Sequence, residues 1–162
     1  MASEKREIRI QYTVHELNDL TAPEMVRLLE AADNALIKAY APYSGFRVGA
    51  AVLLEDGTII TGSNQENAAY PSGLCAERVA IFASASQFPE TLIKAIAVSA
   101  RNKSGNPVQV TPCGSCRQVM LEYEIRQQMP IAIYLAGPDR TILHFKSMEG
   151  LLPMGFNNSQ LE

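Results

Sequence analysis

No apolar run in the sequence approaches the roughly 20 residues of a membrane span, and Met1 to Leu20 has no apolar core of a secretory signal. Basic excess is missing too: 14 Lys and Arg stand against 17 Asp and Glu, a net charge of −3. The general positive field that drives non-specific nucleic-acid binding is therefore absent, and so is any basic stretch interleaved with aromatics. Cysteine is scarce and odd in number, three in 162 residues, which argues against an extracellular disulfide framework. Repeats, low-complexity tracts and linkers are lacking as well. These absences set the expectation of one domain over 1–162, in the cytoplasm, with neither a membrane nor a nucleic acid as partner.

What is present suits a packed core: 47% hydrophobic and 19% charged residues, ordinary globular usage. Ile8, Ile10, Tyr12 and Val14 alternate with polar residues, so 1–20 reads as an extra strand or as an extended arm docked on a neighbour. Thr21 and Glu24 have the spacing of a capping box, and Met25, Leu28, Leu29, Ala32, Leu36 and Ile37 follow at helical spacing, predicting a helix to about Tyr40. Phe46 to Leu54 and Thr58 to Gly62, joined by Glu55-Asp56-Gly57, predict a β-hairpin. Beyond it come a helix from about Cys75 to Gln87, a strand at Ile93 to Ala100 and a helix from about Cys113 to Gln128. Strands at Ile131 to Leu135 and Thr141 to Lys146 follow, and Ser147 caps a short helix through Leu152. Strand-helix-strand units call for crossovers, so the expected architecture is α/β, a three-layer α-β-α sandwich whose mixed five-stranded sheet has helices on both faces.

The cysteines carry the chemistry. Cys113 and Cys116 form a Cys-x-x-Cys on the first turn of one predicted helix, i and i+3 on one face, and Cys75 begins the other. A helix N-terminus favours the thiolate that binds a metal. Alone, the Cys-x-x-Cys leaves open a zinc site on one side and, on the other, a buried inert pair or a redox dithiol. With Cys75 there are three thiolates and no fourth cysteine, and His15 and His144 have no ligand-like spacing to them. Three protein ligands and an open position for water are the pattern of catalytic zinc. Three thiolates on a dication leave a charge of −1, which Arg78, three residues after Cys75, can offset. Glu77 can turn its carboxylate into the site from the first turn, or simply be the acidic residue that a helix N-terminus favours.

At Cys75-Ala76-Glu77-Arg78 and Pro112-Cys113-Gly114-Ser115-Cys116-Arg117-Gln118, the sequence resembles the small, homotetrameric, three-cysteine cytidine deaminases. The resemblance continues through Tyr43 to Ala51 and Gly62 to Tyr70, and covers roughly Leu28 to Phe156. It implies one zinc per chain on Cys75, Cys113 and Cys116, with Glu77 as the proton shuttle and Arg78 supporting the thiolates. It further implies a nucleoside substrate: Asn64 and Glu66 on the ribose hydroxyls, Phe46 against the pyrimidine, Ala76 offering backbone groups to the base edge and Tyr70 nearby. Each active site would lie at a subunit junction, Phe156 covering the pocket of a neighbour. The implied reaction is hydrolytic deamination of cytidine and deoxycytidine in pyrimidine salvage. Competing readings are a related deaminase acting on another cytosine compound, such as an aminonucleoside antibiotic, and a non-catalytic zinc-stabilised interaction module. Pro71-Ser72-Gly73 and the twenty residues before Thr21 depart from the family pattern.

Overall fold

The computed structural model describes residues 3–161. Its strands are β1 (Thr13–Glu16), β2 (Arg47–Leu54), β3 (Ile59–Ser63), β4 (Ile93–Arg101), β5 (Ala132–Ala136) and β6 (Thr141–Phe145); its helices are α1 (Pro23–Ala35), α2 (Ala76–Gln87) and α3 (Gly114–Gln127). They form one sheet in the order β1-β6-β5-β4-β2-β3. Only β4 and β5 run parallel, with α3 as their connection; the other neighbours are antiparallel. The sheet is thus mixed, as expected, but has six strands rather than five, because β1 adds to the free edge of β6. Most of the alternating apolar stretch, Ile8 to Tyr12, lies outside that strand as extended chain.

Period-two alternation divides the core between the two faces. Ala50, Val52 and Leu54 of β2, with Ile96 and Val98 of β4, pack with Ala80 and Ile81 of α2 and Met120 of α3. Ala51, Leu53, Ala95 and Ala97 face the other way, against Met25, Leu28, Leu29 and Ala32 of α1. Small residues let α2 approach the sheet: a Cβ on Gly62 would collide with the backbone of Ala76 and Ala80. That close approach sets the depth at which the N-terminus of α2 lies.

The capping box at Thr21 is not made. Ala22 is the N-cap of α1, no side chain caps it, and Pro23 occupies the first turn, where its missing N–H costs nothing. The helix ends at Ala35 and tightens into a 3₁₀ turn over Leu36–Lys38. Ser147 does cap, its Oγ accepting from Glu149 N, though the segment it starts is a single 3₁₀ turn. Beneath this turn the buried Glu124 of α3 accepts from Ile131 N at 2.7 Å and from Met148 N at 3.0 Å. One carboxyl group thereby joins α3, the start of β5 and the C-terminal segment.

Candidate active site

Cys75 is the N-cap of α2 and Cys113 that of α3, so two helix N-termini converge on one spot. Cys116 follows one turn into α3 and is fully buried. The three sulfurs lie within 4.8 Å of one another, with Cys75 Sγ 3.8 Å from Cys113 Sγ and Cys113 Sγ 3.6 Å from Cys116 Sγ. At metal-sulfur lengths of about 2.3 Å, tetrahedral coordination separates two sulfurs by about 3.8 Å, so the spacing fits one zinc ion. All three cysteines are free thiols.

The surrounding charges favour thiolate. The Cys116 hydrogen bond, then Arg78 and Cys113, hold Cys75 down at about 5 against the opposing effect of burial. Its contact with Cys75 and its own burial push Cys116 the other way, so three crowded thiols do not all ionise unaided. A dication supplies what they lack. Arg78 sends Nη2 to Cys75 Sγ at 4.0 Å, while its Nε is buried without a partner among the described residues.

Glu77, only 5% exposed, lines the same cleft as Cys75 and Cys113. Burial first, and the neighbouring Cys75 charge next, raise its carboxyl above the ordinary range, as befits a group that must both take and give a proton. At the cap, the i, i+2 relation between Cys75 and Glu77 does not separate them as it would in mid-helix.

The cleft encloses about 710 Å³. Phe46, Val48 and Val110 give it apolar surface, with Asn64, Glu66 and Tyr70 along the polar side. Asn64 is already employed: Oδ1 accepts from Val48 N at 2.8 Å and Nδ2 donates to Phe46 O at 2.9 Å, fixing the backbone on either side of Arg47. Glu66 accepts from Tyr43 N at 2.8 Å, from Ser44 N at 3.3 Å and from Ser44 Oγ. The Ser44 hydroxyl and these backbone donors keep its carboxyl below the usual range. Both side chains thus hold the loop that presents Phe46, and each retains hydrogen-bonding capacity toward the cleft.

Tyr70 stands at the rim, 76% exposed and edge-on to Tyr43 at 6.1 Å. Ala76 is fully buried and Arg78 partly so; neither lines the cleft, and Arg78 meets the site through Cys75. Phe156 does not line it either; its carbonyl accepts from Gln118 Nε2 at 2.8 Å and the residue is 57% exposed.

Sequence reasoning missed Ser44 and Arg117. Arg117 Nε and Nη1 donate to Pro112 O at 2.7 Å and Leu151 O at 2.8 Å, and Nη2 to Thr111 Oγ1 at 3.1 Å, binding the loop before Cys113 to the C-terminal segment. Its place beside Cys116 was the only available signal, because two of its three acceptors are backbone carbonyls that no side-chain pattern reveals.

Residues 24–131 match the family model described as the cytidine and deoxycytidylate deaminase zinc-binding region. A cytidine deaminase of Sporosarcina psychrophila is 38% identical over 138 residues, 85% of this chain and 95% of the relative. That of Halalkalibacterium halodurans is 48% identical over 95 residues, 59% of this chain and 68% of the relative. The crystal structure of a cytidine deaminase from Burkholderia pseudomallei superposes with a TM-score of 0.69 at 38% identity, covering 80% of this chain and 97% of that one.

Proposed function

The chain belongs to the cytidine and deoxycytidylate deaminase family, and from this premise we propose that it is a zinc-dependent hydrolase converting cytidine and deoxycytidine to uridine and deoxyuridine with release of ammonia. The observation that carries the reading is the meeting of three sulfurs at two helix N-termini with a buried carboxyl in the same cleft.

Cys75, Cys113 and Cys116 would hold the ion, which when bound acidifies water in its open fourth position and so supplies a nucleophile near neutral pH. Arg78 and the positive ends of α2 and α3 offset the excess charge of three thiolates. Glu77 takes a proton from the attacking water and places it on ring N3, which makes C4 electrophilic. Once the water oxygen has bonded to C4, the same carboxyl takes the remaining proton from that oxygen and passes it to the amino nitrogen, so that the C4–N bond breaks, ammonia leaves and the ring keeps a C4 carbonyl. The raised affinity of Glu77 for protons suits both transfers.

Phe46 would pack on the pyrimidine, and Ala76, whose buried side chain stays out of the cleft, would meet the base edge through its backbone alone. Asn64 and Glu66, held beside the cleft by the loop they organise, would bond the ribose hydroxyls. Tyr70 at the rim and Phe156, which lies outside its own chain's cleft, suit a pocket completed by a neighbouring subunit. A homotetramer acting in the cytoplasm in pyrimidine salvage is the assembly and role that go with this reading, and the free thiols agree with a reducing compartment.

Zinc analysis joined to an ultraviolet assay on purified protein tests the proposal. About one zinc per chain, with loss of cytidine absorbance and release of ammonia, is expected. Zinc without turnover of any cytosine nucleoside would leave a structural module instead, and turnover only of a cytosine oligonucleotide would overturn the substrate.

A further inference from the structure

β1 is the outermost strand of the sheet, and among the described residues nothing pairs with its free edge. The chain leading into it is extended, and residues 3–11 make no backbone hydrogen bond to the rest of the molecule. Ile8, Ile10, Tyr12 and Val14, alternate residues of this segment, are each between 51% and 58% exposed. Tyr12 rests on Phe145, and Ile8 and Ile10 border a groove shared with Leu121 and Leu152 of the same chain, yet each keeps about half of its surface exposed. Folded proteins ordinarily guard such an edge with charges, prolines or bulges. Here an apolar stripe runs along it, with Arg6 before the stripe and Glu16 after it.

The order of chemistries along that stripe is self-complementary. Laid antiparallel to itself with Gln11 opposite Gln11, the segment sets Arg6 against Glu16, Ile8 against Val14 and Ile10 against Tyr12, each twice by symmetry. On the other face, Glu7 meets His15 and Arg9 meets Thr13. Moving the centre one residue either way spoils the match, putting Arg6 opposite Val14 in one case and Ile8 opposite Glu16 in the other. The partners these side chains now have are weak: Arg6 pairs with Glu4 in full solvent exposure, and Glu16 has no ion pair among the described residues.

We propose that the outer edge of β1, with residues 6–12 before it, is an interface for a second copy of this chain, bound antiparallel about a two-fold axis through Gln11. Two six-stranded sheets then become one continuous sheet, the backbone groups of 6–16 gain partners and the apolar stripe is covered. The surface lies at the far end of the strand order from β3 and is separate from the cleft. It goes beyond the catalytic reading and does not depend on it.

Cysteine cross-linking of the zinc-loaded protein tests the register. Residues opposite each other in an antiparallel pair have Cα atoms about 4.5–5.5 Å apart, within disulfide reach. Gln11→Cys should therefore cross-link to its own copy under oxidised glutathione, whereas Arg9→Cys, opposite Thr13, should not. Both positions lie outside the core, so folding is not at stake. Sedimentation of charge variants supplies a second readout. Arg6→Glu and Glu16→Arg should each weaken association through this edge by roughly tenfold, since like charges directly opposite repel, and the double variant should recover it. Equal cross-linking of the two cysteine variants, or one unchanged mass distribution for wild type and all three charge variants, would overturn the proposal.

Discussion

Glu77 illustrates how far a single residue could be read. Its place two positions after Cys75 was ambiguous on spacing alone, and the helix cap resolves it by turning the carboxyl into the cleft. Glu77→Gln is expected to keep its zinc and lose at least about 10²-fold in turnover, since it removes the proton carrier and leaves the thiolates intact. Metal analysis beside the cytidine assay checks both halves. The cysteines were legible because their chemistry is specific and sits at predicted helix starts. Ser44, Arg117 and Glu124 were not, because their partners, the Glu66 carboxylate for Ser44 and backbone groups for the other two, are brought to them only by folding. Glu124→Gln leaves one amide nitrogen facing N–H donors that both carboxyl oxygens now satisfy. A loss of roughly 1–3 kcal/mol in urea unfolding is the expected result.

Elements were legible where periodicity is strong: β2, β3, α2, β4, α3, β5 and β6 fall within a residue or so of expectation. The start of α1 was not, since Pro23 and an uncapped Ala22 take the place of the capping box. Contact between elements is harder still to read, and Gly62 shows why. Nothing around it in the sequence reveals that the backbone of α2 lies against it. Gly62→Ala should push the N-terminus of α2 outward, costing roughly 1–3 kcal/mol by overpacking and lowering zinc affinity through the displaced Cys75. Thermal melting and a zinc-competition titration would register the two effects. At the β1–β6 pair, His15 and His144 bring ring nitrogens to 3.4 Å, with Tyr134 stacked on His144 at 4.4 Å. Burial, then the charges of His15 and Lys146, lower His144 below 6.5. A depressed histidine means the folded state binds fewer protons, so its contribution is present above pH 6.5 and lost as pH falls through the lowered value. Hydrogen exchange in β1, corrected for its intrinsic pH dependence, should accelerate on that acid side, and His144→Gln should flatten the response.

For the whole molecule, the alternation of periodic segments led in the right direction, to a mixed α/β sheet with helices on both faces. The sixth strand was the part left open, because an alternating segment reads alike whether it pairs within its own chain or elsewhere. The bound ion is expected to act on the entire fold, since it joins two helices from opposite sides of β4 in the chain order. A ligand at a hundred times its dissociation constant stabilises by about 2.7 kcal/mol. Dialysis against a chelator should therefore abolish deamination and lower the melting temperature together, and zinc should restore both.

The pairing of β1 with β6 joins residues as far apart in the chain as Thr13 and His144. During synthesis the apolar stripe of the arm leaves the ribosome long before β6 and must wait for α1 through β5 before its sheet neighbour exists. Such a long loop closes late, so β1 is expected to dock after the other five strands have assembled. A nascent chain stalled before Thr141 would then hold a shaped cleft, yet carry an unprotected sticky strand, open to whatever polypeptide or chaperone meets it first.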